Sequence, residues 1–254
     1  MICDICEGEM SHAFEHKVMA KHETSYWNCP KCGFMRVQDP YWIDEAYNES
    51  ITSADTGLLA RNISYSQKII VLIDAFLETN GHFLDYAGGY GIFTRLMRDA
   101  GFSFFHQDPY TENIFAKDFV FKENEFPINA ITCFECLEHL VNPIEELQKI
   151  FSISKNVFFS TSLKDIEVPD KSWTYFGFSH GQHISFYSSK SLNLLAKRFK
   201  LNVYTSGTLH FFTPLEIDSQ KFKRLSRSAT KRNHPFTSRN RAERIARRLL
   251  KSKC

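Results

Sequence analysis

The stretch FLDYAGGYG, residues 83–91, puts three glycines into four positions directly after an apolar run, in a chain holding 11 glycines among 254 residues. A strand, a glycine-rich turn and a helix together turn backbone N–H groups and a helix N-terminus towards a ligand. The flanking sequence fits this reading. Asn80-Gly81 stops an apolar helical stripe over residues 64–79, and a strand over about 82–86 leads into the glycines. A helix over about 92–100 then ends at Gly101.

Strand and helix go on alternating, which marks a parallel sheet with crossover helices. FSFFHQ (residues 102–107) is a second strand, AKDFVF (116–121) a weaker third and INAITCF (128–134) a fourth. A helix opens near Asn142-Pro143, where proline suits a first turn. KNVFFST (155–161) is a fifth strand, SSKSLNLLAKRF (188–199) a helix, and residues 201–213 two strands meeting near Gly207.

The glycine spacing separates two ligand classes. A dinucleotide fingerprint, G-x-G-x-x-G, would need glycine at position 94, which is Thr94; the glycines are Gly88, Gly89 and Gly91. Asp85, just before the turn, would repel a pyrophosphate but tolerate a cation. Asp108 ends the second strand, where a carboxylate can accept both hydroxyls of a ribose. The ordered set points to a phosphate-free, nucleoside-bearing ligand: S-adenosylmethionine (SAM). Taken singly, each acid would read as a turn cap.

The first residues carry a second signal. Cys3 and Cys6, then Cys29 and Cys32, form two CxxC knuckles with 22 residues between them, the second within CPKCG. Two such knuckles present four thiolates tetrahedrally to Zn²⁺, and cysteine at all four positions argues against an open catalytic site. FEHKVMA and ETSYWN between them suit the strands of a ribbon hairpin, too small to hold a core without the metal. The expected organisation is a zinc ribbon over 1–38, a helical linker or cap over 39–80, a SAM-binding domain over 81–217 and a basic, partly helical tail over 218–254.

The chain resembles the class I SAM-dependent methyltransferases. LDYAGGYG carries the first motif, Asp108 the second, and NAITCFECLEHLVNP the segment after the fourth strand. The resemblance covers about residues 60–213 and implies an α/β, Rossmann-like doubly wound sheet beside the ribbon. It also implies that Phe134 and Glu135 line the cofactor pocket. More narrowly, the four-cysteine ribbon and the segment GQHISFYSSKSL resemble the methyltransferases of sugar and surface-polysaccharide gene clusters, some of which methylate deoxysugars at carbon.

The methyl acceptor is sought in SWTYFGFSHGQHISFYS, residues 172–188, which follows the fifth strand on the ligand side of such a sheet. It holds Tyr175, His180, His183 and Tyr187; histidine takes a proton near neutral pH, and tyrosine positions an oxygen. By resemblance, His183 stands where sugar C-methyltransferases carry a histidine proposed as general base. Those relatives often have Tyr-Glu before it, where this chain has Gly181-Gln182. The difference leaves O-methylation open. His139 reads mainly as structural, and Cys133 and Cys136 as buried or pocket-edge thiols.

Hydrophobic residues at 43% and aromatics at 15% describe a folded protein. The first residues lack the basic start and apolar stretch of a signal peptide, and no apolar run is long enough to span a membrane, so a cytosolic enzyme is expected. The net charge of +2 hides an asymmetry: residues 218–254 hold 13 Lys/Arg and two acids, leaving 18 basic and 27 acidic residues before them. The stretch from Asn240 reads as a basic helix, either solvated or lying against an anionic membrane, and Cys254 lacks a prenylation pattern. The acidic body offers nucleic acid little. The expected acceptor is a sugar, nucleotide-sugar or glycan. The rivals are an RNA methyltransferase, weakened because FECLEHL stands where a target-base motif would be, and a non-catalytic SAM- or zinc-binding partner.

Overall fold

The computed structural model describes residues 1–47 and 56–229. Two long strands, β1 (Ser11–Val18) and β2 (His22–Asn28), form an antiparallel hairpin, and β3 (Met35–Val37) pairs with β2 after the second cysteine knuckle. A short helix α1 (Ile43–Ala46) follows. The apolar stripe expected over 64–79 is the inner face of a longer helix, α2 (Leu58–Phe76), with Tyr65, Ile69, Ile70, Leu72 and Ile73 buried.

The alternating part then runs as the sequence predicts. It comprises β4 (His82–Tyr86), α3 (Ile92–Asp99), β5 (Ser103–Gln107), β6 (Ile128–Cys133), α4 (Pro143–Ile153) and β7 (Val157–Ser160). Two short strands, β8 (Leu163–Lys164) and β9 (Ser185–Ser188), bracket the segment expected to face the acceptor. The chain closes with α5 (Ser189–Arg198), the hairpin β10 (Asn202–Ser206) and β11 (Leu209–Thr213), and α6 (Ser219–Ser228).

The larger sheet has the order β10-β11-β7-β6-β4-β5. Strands β5, β4, β6 and β7 are parallel, and β11 is antiparallel between β7 and β10. Alternation along each strand serves the two faces. Phe83, Phe104, Ala130, Phe158 and Phe211 pack under α2, α3 and α6, while Leu84, Ile131, Phe159 and Phe212 pack under α4 and α5. Helices on both faces of a mostly parallel sheet make a doubly wound α/β fold. The chain passes from β4 to β5 on one side and then to β6 on the other, so the strand order reverses at β4 and opens a crevice at the carboxyl ends.

Four expectations need correction. The third strand near residues 116–121 is a single bridge between His106 and Val120. The Asn113 side chain turns the chain back onto Ala116, and Asn124 sits at a positive φ of 62°, so both ends bend away after one pairing. The ribbon is not self-contained. Met35 and Arg36 of β3 pair with Phe186 and Ser185 of β9, giving a second sheet in the order β1-β2-β3-β9-β8. Residues 58–76 are not a cap, since α2 covers one face of the larger sheet. The basic segment also begins inside the domain: Asp218 caps α6 through Gln220 and Lys221, and Phe222 is fully buried. The helix expected from Asn240 lies outside the described residues. Among the described residues, no helix is long and apolar enough to cross a membrane.

Candidate functional site

The reversal point at β4 opens into a cleft of about 1070 Å³. Its floor is the glycine turn. Ala87, Gly89 and Gly91 take positive φ of 55°, 54° and 81°, and Gly91 starts α3 from the left-handed region. A Cβ on Gly88 would lie 2.6 Å from Asp85 Oδ2 and 2.8 Å from His106 Cδ2, so only glycine lets the turn lie this close to the strands. A Cβ on Gly89 would meet nothing within 4 Å, and Gly89 lines the cleft. β5 fastens the turn from the side: Gly89 N–H donates to Asp108 Oδ2 at 2.8 Å, and the Gly89 carbonyl lies 2.8 Å from His106 Nε2.

The two acids play narrower parts than the sequence predicts. Asp85 touches the cleft but is only 2% exposed, and its oxygens accept from Thr94 and Thr132 hydroxyls at 2.9 Å each. Burial raises its pKa to about 6 against the pull of those two hydrogen bonds. It shapes the turn more than it contacts a ligand. Asp108 also accepts from the N–H groups of Tyr110 and Thr111. A carboxylate offers about four acceptor sites. Three are filled from within the fold, which leaves room for one ribose hydroxyl rather than two.

Phe134 stacks on Tyr65 with centroids 4.5 Å apart and stands edge-on to Phe93, forming an apolar wall suited to a purine. Glu135 also lines the cleft, at a strained φ of 48°; its carboxylate accepts from Ser160 Oγ, and its other oxygen lies 3.9 Å from Arg61. Acids dominate the lining. Asp44, Asp85, Asp108, Glu135, Glu145 and Glu146 stand against Arg61 and Lys149. Glycine backbone, a carboxylate with one free acceptor site, an aromatic wall and a negative field fit the amino-acid, ribose, purine and sulfonium parts of SAM. The same field opposes a pyrophosphate.

On the acceptor side the structure joins His180 and His183 to His139, with Gln182 beside them in the lining. The His183 ring lies 4.8 Å from that of His180 and 5.0 Å from that of His139. His183 Nδ1 donates to the Tyr175 carbonyl at 2.6 Å, and burial pushes its pKa down to about 4. It is therefore neutral at physiological pH and a weak proton acceptor. Tyr175 contributes that carbonyl; its hydroxyl is turned to Thr161 Oγ1 at 3.0 Å, away from the cleft lining. Tyr187 does not belong to the site. It is fully buried in β9, and its hydroxyl donates to the Leu137 carbonyl at 3.1 Å.

Three contributors escape the sequence reading. Tyr47, assigned there to a linker, places its hydroxyl 2.8 Å from His139 Nδ1. His139 lines the cleft from a one-turn 3-10 helix, Leu137–His139. Glu138 in the same turn is fully buried, and neither carboxylate oxygen has a hydrogen-bond partner. The signal was present: an acid and a histidine adjoin just past the end of β6, beside the point where strand order reverses.

The N-terminal hairpin and the segment around α1 that follows it support this wall. Trp42 Nε1 donates to the Gly181 carbonyl at 2.9 Å, Gln182 donates to the Ala46 carbonyl, and Met19 N–H donates to the Phe178 carbonyl. The ribbon cysteines face one another, with Cys3 Sγ 3.6 Å from Cys32 Sγ, Cys6 Sγ 3.4 Å from Cys29 Sγ, and all four sulfurs within 4.8 Å. Tetrahedral zinc with Zn–S of about 2.3 Å holds its sulfurs about 3.8 Å apart. The cluster fits that ion with little movement. Cys133 and Cys136 are buried apart from it, Cys136 at the cleft edge.

A parallel α/β sheet with a glycine turn at the strand-order reversal and an acidic, aromatic-walled cleft defines the class I SAM-dependent methyltransferase arrangement. The chain belongs to the methyltransferase-domain family, which it matches over residues 58–206. Among solved structures it is similar to the plantazolicin methyltransferase BpumL in complex with S-adenosylhomocysteine (SAH), at 15% identity over 77% of this chain and 87% of that one, with a TM-score of 0.45. It is also similar to magnesium protoporphyrin IX methyltransferase from Synechocystis PCC 6803 with bound SAM, at 12% identity over 69% and 90%, TM-score 0.42. A third is CalO1, a methyltransferase in calicheamicin biosynthesis, at 12% identity, TM-score 0.39; the match covers 59% of this chain and spans about half, 54%, of CalO1. None of the curated proteins matches the chain in sequence.

Proposed function

We propose that the protein transfers a methyl group from SAM to a hydroxyl oxygen of a sugar ring, with any phosphate or nucleotide portion of the acceptor outside the cleft. One observation carries the reading: the cleft is lined by six acids and by the polar aromatic rings of Tyr47, His139, His180 and His183. Such rings hold a polyol by hydrogen bonds and ring faces, while the acids disfavour a phosphate chain. SAM, when bound, supplies an electrophilic methyl carbon. The chain's own residues align the acceptor in line with that carbon and exclude water. Carbon methylation would need a base able to remove a C–H proton. His183, with its pKa near 4, is poorly matched to that task, which favours oxygen as the site of transfer. The same reading places Zn²⁺ at Cys3, Cys6, Cys29 and Cys32 as a structural ion that braces the acceptor wall.

The test is calorimetric titration with SAH, followed by labelled-methyl transfer to a panel of free sugars, glycosides, sugar phosphates, nucleotide-sugars and RNA. Binding of SAH with transfer to neutral sugars or glycosides is expected. Failure to bind SAH, or transfer confined to RNA, would sink the proposal.

A further inference from the structure

We infer that Glu138, His139 and His183 form a second metal site, distinct from the cysteine cluster, which holds a divalent cation at the acceptor wall of the cleft. The inference rests on the SAM-dependent reading above and deepens it by naming what activates the acceptor oxygen. One ligand atom from each residue lies within 4.8 Å of the other two. Three N/O ligands at about 2.1 Å from a shared ion sit about 3.0–3.6 Å apart, so side-chain closure of about 1–2 Å at most brings the three onto one ion.

Two further features point the same way. Glu138 is wholly buried, yet both carboxylate oxygens lack a hydrogen-bond partner, although the Tyr175 and Thr161 hydroxyls lie nearby. A buried carboxylate whose oxygens accept no well-formed hydrogen bond is costly in its charged form unless a cation completes it. Each histidine has Nδ1 engaged by an outer partner, the Tyr47 hydroxyl for His139 and the Tyr175 carbonyl for His183. The carbonyl partner fixes the His183 tautomer and leaves its Nε2 for an ion, while the His139 ring also meets the Gln182 backbone, a contact the ion would replace.

Two imidazoles and one carboxylate suit Mn²⁺, Fe²⁺, Co²⁺ or Zn²⁺ better than the harder Ca²⁺. Because His139 and His183 line the cleft, the remaining coordination positions face it. They suit a hydroxyl and a neighbouring oxygen of the acceptor, which makes a vicinal diol the favoured substrate group. The coordinated hydroxyl loses its proton to water more readily. Its lone pair then forms the O–CH₃ bond while the S–CH₃ bonding pair stays on sulfur.

The test uses the full chain with its cysteine cluster loaded with zinc, which Mn²⁺ does not displace from thiolates. Bound Mn²⁺ is read by electron paramagnetic resonance, and SAH affinity is measured on the same samples. The wild type is expected to bind one Mn²⁺ per chain. Glu138→Gln and His183→Ala should each weaken that binding at least about tenfold, and Tyr47→Phe, which removes the outer partner of His139, about tenfold. SAH affinity should hold within about twofold in all three, which also verifies folding. A wild type that binds SAH but no Mn²⁺, or variants that bind Mn²⁺ as the wild type does, would overturn the site and leave the proposed function standing. Loss of SAH binding by the wild type would instead remove the reading on which the inference rests.

Discussion

At the residue scale, Gly88 shows how a single missing side chain shapes the site. Its α-carbon sits against Asp85 and His106 so closely that a methyl group would fall inside the contact distance of both. Neither neighbour can swing away. Asp85 is held by Thr94 and Thr132, and His106 is tied to the Gly89 carbonyl. Gly88→Ala should therefore lift the turn off the strands and weaken SAH binding about tenfold or more, roughly 1.4 kcal/mol. Calorimetric titration of the variant against wild type checks this; unchanged affinity would show that the turn yields elsewhere. At Asp108, backbone donors fill three of the acceptor sites that a ribose was expected to use. This could not be read from the sequence, because the donors come from residues 89, 110 and 111 and depend on how two loops meet.

At the element scale, Ser188 belongs to two structures at once. Its hydroxyl caps α5 by accepting from Ser191 N–H at 3.0 Å, and it donates to the Cys32 carbonyl at 2.5 Å. The helix start is thereby fixed to the second cysteine knuckle, where Gly33 at φ +75° leaves no space for a Cβ beside Ser188. Ser188→Ala removes the cap and the tie together. A loss of about 1–2 kcal/mol in unfolding free energy is expected by denaturant titration. The elements from β4 to β11 were legible because apolar period, Gly and Pro mark their ends. β9 was not, because ISFYS runs straight on from a loop rich in aromatics and histidine and the strand is only four residues long. Its alternation was nonetheless there: Phe186 faces the ribbon core while Tyr187 turns to the opposite face, towards Leu137. Read as a strand, that segment excludes Tyr187 from the cleft. Glu138 and His139 were missed for a related reason. They fall between the end of β6 and the helix that Pro143 opens, where no periodicity marks the separate turn they form at the cleft wall.

Across the molecule, several buried ionisable groups couple stability to pH, and His210 is one whose contribution can be isolated. His210 on β11 is fully buried, with Nδ1 3.0 Å from Thr205 Oγ1 and Nε2 3.1 Å from the Thr161 carbonyl. Burial lowers its pKa to about 4, whereas in the unfolded chain it titrates near 6.5. The unfolded state thus binds the proton first. The stability linked to neutral His210 is whole above about pH 6.5 and is lost as pH falls towards 4, amounting to roughly 3 kcal/mol. Unfolding free energy measured from pH 7 to pH 4 should fall more steeply for wild type than for His210→Gln; equal slopes would assign the acid sensitivity to other groups.

The pairing of β3 with β9 also has a consequence for the order in which the protein can be made. Residues 35 and 36 leave the ribosome some 150 residues ahead of their partners at 185 and 186. At about 5–20 residues per second, the N-terminal hairpin waits on the order of 10–30 s with one strand edge open. An open edge invites pairing with another chain. A metal ion seized early by the four cysteines would hold the nascent hairpin in register until residue 186 arrives to close it. Zinc supply during synthesis should then set the yield of soluble protein more strongly than zinc added after purification.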